Sequence, residues 1–472
     1  MAKKDLTYSD SAGSAVGKIN DNFGELATGT SVTPATVTKD VKASSFCTAV
    51  NNVMTALRTA FGMSSSLHPI ADTNTAKQVV DNINTDITNL YAAQSSGGGD
   101  DPTPVPDEKI KVLFFGNSFT ANSVFYLPFI LLNNGITKFK VAFMFAAGAS
   151  LEDYVGWYSS NPITTHIFDG ENDTVWPSSV SKRPDVNVAS DDWDLIVLQQ
   201  ASQASVDLST YSPYTAQLMS LISGTMASAN PSHQYKIGWN VTHARMAVAY
   251  NNPLAILSNI QSTCQSNSIS VILPYGTAIY NALTKKTMRT IGSGSYRNFK
   301  HSDGTHLSPG LAMYAASLAI AQALSDEFSL GFDADDDTTA PIEGWSDSSS
   351  ENYKGISPTY GSFNEISNES RAIVKAAVAA AIQSKFAITQ LDGEMLSVQY
   401  NLTGCSIIGT APTSVAYGQT ISFRIVADTG KTMSSVTWKL DWRGATTSYT
   451  LGENGEFEKV VTDNLIITAT AT

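Results

Sequence analysis

Two short segments, far apart in the chain, carry the residue types that acyl transfer needs. The first, GNSFT, ends an apolar run and holds Ser118. The second, HSDGTHLSPG, holds Asp303 and His306. Its Ser308 and Pro309 are predicted to be the cap and the first residue of a helix that runs to about residue 324. A serine hydroxyl becomes a nucleophile when a histidine takes its proton, and a carboxylate that accepts from Nδ1–H leaves Nε2 of that histidine free to do so. The pattern therefore predicts a triad of Ser118, His306 and Asp303.

Each segment also has a simpler interpretation when it is taken alone. A serine between a strand and a helix is most often a helix cap, and an aspartate three residues before a histidine is most often a turn residue. The combination favours catalysis, because both segments are predicted to lie at the same edge of one sheet.

The residues from 109 to about 325 alternate short apolar strands with helical stretches, which indicates an α/β domain with a parallel sheet. Ser118 directly follows the first predicted strand, and open α/β sheets bind ligands at the carboxyl ends of their strands. Gly116 allows a tight turn there, and the following helix offers free backbone N–H groups to a developing oxyanion. The predicted strands cover residues 111–115, 140–146, 194–198, 236–240 and 270–274.

These motifs resemble those of the SGNH (GDSL-like) hydrolases. The nucleophile block of that superfamily matches residues 116–120, its Asp-x-x-His block matches residues 303–306, and the resemblance covers residues 109–324. It implies a flavodoxin-like α/β fold with three layers and a serine esterase that requires no metal or cofactor. Two segments resemble a less studied branch of the superfamily, namely GNSFT at residues 116–120 and AGASLE at residues 147–152.

The resemblance also implies an oxyanion hole. The family glycine whose N–H serves this hole falls on Gly148, and the N–H of Ser118 joins it. The third donor is usually the asparagine of a Gly-x-Asn-Asp block, but this chain has LQQAS at residues 198–202. The amide of Gln199 can donate the same hydrogen on a longer arm, with Gln200 as the alternative. A third interpretation is that both glutamines only satisfy backbone groups at the strand end.

Length and charge exclude some classes of function. A chain of 472 residues is expected to form about three domains. Its net charge of −13 and its lack of a basic stripe argue against nucleic-acid binding. No run approaches the ~20 apolar residues that a membrane span requires. Lys3 and Lys4 are not followed by the apolar stretch of a secretory signal peptide, so none is expected.

The cysteines and three further histidines do not have the spacing of metal ligands. We therefore predict neither a metal site nor a disulfide framework, and we interpret these residues as packing or surface positions. They are Cys47, Cys264 and Cys405, and His166, His233 and His243.

Residues 1–94 are predicted to form a helical anchor, and residues 95–108 a linker rich in Gly and Pro. The anchor carries three apolar stripes at helical spacing, one of which includes Ile83 and Ile87. Each stripe is narrow, so we expect the anchor to self-associate, most simply as a trimer; a small bundle within one chain is the alternative. Residues 17–26, GKINDNFGEL, resemble a helix near the start of phage tail and fibre proteins.

Residues 109–390 are assigned to the esterase domain, including a helix over residues 367–385 that Ser367 caps. Residues 391–472 alternate apolar and polar residues in short runs, which predicts an all-β, Ig-like sandwich. Its predicted strands cover residues 398–402, 420–426, 435–440, 457–461 and 465–469.

This order of domains favours one function and leaves a second open. The first is a virion-associated protein, of the tail fibre or tail spike kind, that de-esterifies and most simply deacetylates a bacterial surface polysaccharide. In that case residues 1–94 would bind other structural proteins of the particle. The alternative is a catalytically inactive protein that binds glycan or serves a structural role in the particle. Candidates for sugar contacts near the sheet edge are Trp157, Tyr158, Trp176, Trp239 and Arg245.

Overall fold

The computed structural model describes residues 108–201, 203–245, 251–290, 304–339, 366–391, 395–440 and 446–472. These residues belong to a single structural unit, residues 105–472. The predicted anchor, nearly all of the linker and Asp303 lie outside the described residues.

Seven strands form the central sheet of the α/β domain. They are β1 (Ile110–Gly116), β2 (Phe139–Phe145), β3 (Ile163–Asp169), β4 (Val180–Lys182), β5 (Leu195–Leu198), β6 (Lys236–Asn240) and β7 (Val271–Leu273). Their order is β4-β3-β2-β1-β5-β6-β7. Strands β2, β1, β5, β6 and β7 run parallel, whereas β3 and β4 continue the sheet antiparallel. All four residues of β5 are buried, as expected for a strand that helices cover on both faces.

Helices connect these strands and cover the sheet. They are α1 (Ser118–Val124), α2 (Leu127–Asn133), α3 (Leu151–Trp157), α4 (Pro184–Ala189), α5 (Tyr214–Ala229), α6 (Pro253–Ser266), α7 (Tyr275–Leu283), α8 (Lys286–Thr290), α9 (Leu311–Phe328) and α10 (Asn368–Gln383). Helix α9 is buried along most of its length. Within the described part of the chain, no helix is both long and apolar enough to cross a membrane.

The strand register brings three loops to one edge of the sheet. Gly116, at the end of β1, pairs with Phe145, at the end of β2. Strand β5 lies on the other side of β1. The loops after these three parallel strands carry Ser118, Gly148 and Gln199, so the chain's own topology gathers residues that the motifs singled out.

Two smaller sheets follow α10. Their strands are β8 (Leu396–Thr403), β9 (Cys405–Ile408), β10 (Ser414–Val415), β11 (Thr420–Ala427), β12 (Met433–Leu440), β13 (Thr447–Ser448), β14 (Glu456–Val460) and β15 (Leu465–Ala471). One sheet has the order β10-β8-β15-β12-β13 and the other β14-β11-β9. Strands β8 and β15 pair in parallel, and the other pairs are antiparallel.

Side-chain hydrogen bonds join these sheets to the α/β domain. The amide of Gln390 donates to the carbonyl of Tyr417 at 3.0 Å. The amide of Asn251 donates to the hydroxyl of Thr462 at 3.2 Å. Because Tyr417 is also buried, the C-terminal sheets pack directly on the α/β domain.

The predicted α/β domain is confirmed, and its five predicted strands are β1, β2, β5, β6 and β7. Strands β3 and β4 were not predicted, because polar residues interrupt the apolar pattern of β3 and β4 has only three residues. The five predicted C-terminal strands are β8, β11, β12, β14 and β15. The Ig-like assignment of these sheets stays a prediction.

Two predicted helix starts have different outcomes. The hydroxyl of Ser367 accepts from the N–H of Ser370 at 3.1 Å, which confirms Ser367 as the cap of α10. The predicted start at Ser308 and Pro309 is wrong, because α9 begins two residues later. Gly310 occupies the N-cap position with φ 84° and ψ −118°, a conformation that glycine tolerates, and no side chain caps the helix.

Candidate active site at the carboxyl edge of the sheet

Ser118 is the first residue of α1, and Asn117 separates it from β1. The side chain of Asn117 caps the helix, since its Oδ1 accepts from the N–H of Phe119 at 2.9 Å. The capping bond that a serine often makes is therefore made by its neighbour. The partly exposed hydroxyl of Ser118 makes no hydrogen bond with any residue in the described ranges, His306 included. Catalytic hydrogen bonds often tighten only when substrate is bound, so this geometry is compatible with a nucleophile.

The turn before Ser118 requires glycine. A Cβ atom on Gly116 would lie 2.1 Å from Oγ1 of Thr120, far inside contact distance. The hydroxyl of Tyr154, on α3, donates to the carbonyl of Gly116 at 2.6 Å and fixes the turn from the other side. The strand-to-helix turn is therefore tight and held in one position.

Gly148 lies in the neighbouring loop, which Asn117 also holds. The amide of Asn117 donates to the carbonyl of Ala149 at 3.0 Å. Gly148 has φ +67°, and no atom lies within 4 Å of the position that a Cβ would take. No acceptor within the described ranges takes the N–H of Gly148. A backbone N–H in an open loop that is bonded to Asn117, the residue before Ser118, suits the predicted oxyanion donor.

The segment of His306 is attached to the helix that carries Ser118. Oδ1 of Asn122 accepts from the N–H of Leu307 at 3.2 Å. Asn122 lies one helical turn after Ser118, so both side chains share a face of α1. The rings of Phe119 and His306 lie edge to face with centroids 6.2 Å apart. These contacts place the segment of His306 against α1. Asp303 lies outside the described residues, so its role stays a prediction.

Gln199 lies beneath the Ser118 turn with 3% of its surface exposed. Its Nε2 donates to Oδ1 of Asn117 at 2.8 Å. Its Oε1 accepts from Thr120 at 2.8 Å and from Asn240 at 3.1 Å. One amide hydrogen of Gln199 is thus bonded to Asn117. The predicted role as oxyanion donor would use the second hydrogen, and this role stays a prediction.

Gln200 has a different set of partners. Its Oε1 accepts from the N–H of Leu151 at 3.2 Å, at the start of α3. Its Nε2 donates to Thr210 twice, to the carbonyl at 2.7 Å and to the hydroxyl at 3.1 Å. The amide group of Gln200 thus joins the start of α3 to the segment at Thr210. The choice between Gln199 and Gln200 as oxyanion donor stays a prediction.

His243 was grouped with the packing histidines, but the structure places it between the two motifs. It is fully buried, and its ring stacks on Phe119 with centroids 3.9 Å apart. Its Nε2 lies 2.9 Å from the carbonyl oxygen of Thr305, the residue before His306. A usable signal was its position shortly after β6, at the same edge of the sheet as Ser118.

His233 and His166, the other two histidines interpreted as packing or surface positions, lie away from this edge or within the core. His233 contacts the carbonyl of Trp193 at 3.0 Å and the carboxylate of Asp194 at 3.4 Å, at the amino end of β5. His166, on β3, stacks on Phe143, and burial lowers its pKa to about 4. Across the described ranges, no three or more His, Cys, Asp or Glu side chains are grouped to hold a metal ion.

The candidate sugar contacts are largely core residues. Trp176 and Trp239 are fully buried, and Tyr158 is nearly so. Trp157 is half-buried and packs edge to face with Tyr154. The prediction that Trp176 and Trp239 line a sugar site is therefore wrong, because both indoles are enclosed by the core.

The chain is similar to several solved structures. A DUF4886 family protein from Bacteroides uniformis is 22% identical with a TM-score of 0.47, over 60% of this chain and 98% of that chain. A provisionally assigned SGNH hydrolase from Slackia heliotrinireducens is 17% identical with a TM-score of 0.31, over 46% of this chain and 100% of that chain. A provisionally assigned acylhydrolase from Bacteroides fragilis is 17% identical with a TM-score of 0.28, over 50% of this chain and 95% of that chain.

No curated protein matches the chain. Residues 111–327, which run from β1 to the last turn of α9, match the model of a family described as a domain of unknown function, DUF4886.

Proposed function

We propose that the α/β domain hydrolyses esters through a covalent acyl-enzyme on Ser118. The observation that carries the proposal is the hydrogen-bond pattern around Ser118, in which neighbouring side chains make the structural bonds. Asn117 caps α1, so the hydroxyl of Ser118 has no structural bond to make. Asn122, one turn further, holds the segment of His306 against the same helix face. The N–H of Gly148, in the loop that Asn117 also holds, has no acceptor among the described residues and would serve as an oxyanion donor.

The proposed reaction has two steps. Oγ of Ser118 attacks the ester carbonyl carbon while Nε2 of His306 takes the hydroxyl proton, and Asp303 accepts from Nδ1–H. The oxyanion accepts from the N–H groups of Ser118 and Gly148 and from the amide of Gln199. The tetrahedral intermediate then releases the alcohol, which takes the proton from His306. Water attacks the acyl-enzyme by the same route, with His306 as base, and releases the carboxylic acid and free Ser118.

Two measurements on the purified full-length chain test this proposal. Hydrolysis of an activated acetyl ester such as p-nitrophenyl acetate is expected, and a fluorophosphonate is expected to label Ser118, as located by mass spectrometry. Label on another serine, or no hydrolysis of acetyl esters or acetylated glycans, would contradict the proposal. The second outcome would favour a protein that uses the esterase fold to bind glycan. That second candidate is kept because Gln199, which stands where the family has asparagine, uses one amide hydrogen to hold Asn117.

The proposal extends to the setting of the reaction. We infer that the substrate is an acetylated bacterial surface polysaccharide and that the protein works on a phage particle, as part of a tail fibre or tail spike. The support comes from the sequence alone: a helical segment that resembles phage tail proteins, a linker, the esterase domain and a C-terminal β region. Release of acetate from capsular or O-antigen polysaccharide, and its loss after alkaline deacetylation of the glycan, would test the substrate class.

The assembly of the particle-bound form gives a separate prediction. Deletion of residues 1–94 should leave an active, monomeric esterase, because the motifs lie beyond the linker and the apolar stripes lie before it. Replacing Ile83 and Ile87 with Asp should also block self-association, since unpaired charges in a helix seam are strongly unfavourable. Light scattering on the full-length chain, the truncation and the double variant measures this. Equal subunit numbers for all three would leave residues 1–94 as a bundle within one chain.

The role of Gln199 gives a prediction about the barrier. We expect Gln199→Ala to raise the acyl-transfer barrier by ~3 kcal/mol, the amount typical of one oxyanion donor. Gln200→Ala is the matched control, since the same group is removed from the next residue, whose amide group binds Thr210. Comparison of kcat/KM for the two variants measures the effect. A larger loss in Gln200→Ala would reverse the assignment of the two glutamines.

A further inference from the structure

His243 follows β6, an element that neither motif includes, yet it contacts the neighbours of both. Its ring stacks on Phe119 at an interplanar angle of 19°, directly after Ser118 in the chain. Its Nε2 lies 2.9 Å from the carbonyl oxygen of Thr305, directly before His306. A single fully buried side chain therefore spans the space between the nucleophile segment and the histidine segment.

The partners of the ring determine its tautomer. A carbonyl oxygen can only accept, so Nε2 must carry the hydrogen that it shares with Thr305. In the neutral imidazole Nδ1 then has a lone pair, to which the hydroxyl of Tyr275, 3.3 Å away, can donate. Burial raises the pKa of Tyr275 well above its ordinary value, which keeps that hydroxyl protonated. Tyr275 thus favours the tautomer in which His243 donates to Thr305.

The backbone of His306 is consequently held on both sides. His243 fixes the carbonyl of Thr305, which belongs to the peptide bond that enters His306. Asn122 fixes the N–H of Leu307, which belongs to the peptide bond that leaves it. Asn122 is part of α1, and His243 stacks on Phe119 of α1. Both contacts therefore hold the backbone of His306 in place relative to the helix of Ser118.

We propose that His243 is a positioning residue that sets the placement of His306 relative to Ser118 through the carbonyl of Thr305. The inference rests on the proposed function, because it assigns a role within that reaction. A misplacement of about 1 Å in a catalytic group can cost about 10²-fold in rate, so a buried bond at this position is large enough to be measured in turnover.

Two variants of His243 in the full-length chain form a matched pair. His243→Gln places an amide N–H near the position of Nε2, within reach of the carbonyl of Thr305. His243→Asn places the same group near the position of Nδ1, too far from that carbonyl to form the bond. Both variants lose the stacked ring on Phe119. We expect His243→Asn to lower kcat for p-nitrophenyl acetate about 10²-fold with KM within twofold of wild type, and His243→Gln to recover at least tenfold of that loss.

Several results would overturn the inference. Equal kcat values for the Asn and Gln variants would show that the bond to Thr305 is unimportant, and a loss confined to KM would show that His243 acts on binding. If wild type hydrolyses the ester and is labelled at Ser118, such results reject His243 alone. If wild type does neither, the proposed function fails and the role of His243 fails with it.

A measurement on the unmodified protein covers the case in which His243→Asn does not fold. Selective ¹⁵N labelling of histidine reports which ring nitrogen carries hydrogen, and the spectrum of His243→Gln identifies the resonances of His243. We expect a protonated Nε2 and a bare Nδ1. The opposite tautomer would remove the donor to Thr305 and would overturn the inference whatever the variants do.

Discussion

Replacement of Ser118 by Ala should lower the turnover of an acetyl ester by several orders of magnitude and leave the protein folded. Members of a triad act as one unit, and loss of the nucleophile or the base alone costs about 10⁶-fold in a serine protease. Folding should persist because Asn117, and not Ser118, caps α1. The measurement is kcat/KM for p-nitrophenyl acetate together with the midpoint of thermal unfolding.

Two further variants complete the test of the nucleophile. His306→Ala should cause a similar loss, and the double variant of Ser118 and His306 should be little worse than either single variant, since the effects are not additive. Ser228→Ala is the matched control, because Ser228 is exposed on α5 and its hydroxyl bonds only locally to the carbonyl of Gly224. If Ser118→Ala kept most of the activity, the assignment of the site would be wrong.

The sequence predicted the parts of the fold that leave a local pattern. Strands β1, β2, β5, β6 and β7 are short runs of large apolar residues, because helices cover both of their faces. Strand β3 escaped prediction because Thr164, Thr165 and His166 interrupt its apolar pattern. The start of α9 was misplaced because Ser308 and Pro309 have the composition of a helix start, whereas the backbone turns at Gly310.

The candidate site was predicted where its residues are neighbours in the chain. The nucleophile turn could be located because glycine and serine stand directly between an apolar run and a helix. That Asn117 caps α1 and Ser118 does not could not be predicted, because either side chain can cap a helix. The position of His243 after β6 indicated this sheet edge, but its contacts could not be predicted. Its partners Phe119 and Thr305 are distant in sequence, and only the folded sheet brings the three together.

Asp303→Asn should be nearly as severe as the loss of the nucleophile, although it changes only one atom of the side chain. A carboxylate accepts from Nδ1–H of His306 and stabilises the imidazolium that forms during proton transfer. An amide in its place can donate to Nδ1, which favours the tautomer with hydrogen on Nε2 and removes the base that Ser118 needs. The corresponding change in a serine protease lowers kcat about 10⁴-fold, and we expect a loss of that order here.

The control for this change is Asp326→Asn, the same substitution on the last turn of α9, where the exposed carboxylate accepts from Gln322 and from no other described residue. It should leave kcat unchanged. Fluorophosphonate labelling distinguishes a loss of Ser118 activation from a slower release of product, because labelling needs an activated Ser118 but no product release. Slow labelling together with slow turnover in Asp303→Asn is the expected result. A mild effect on both rates would mean that another group orients His306, and the triad would then consist of Ser118, His306 and a residue other than Asp303.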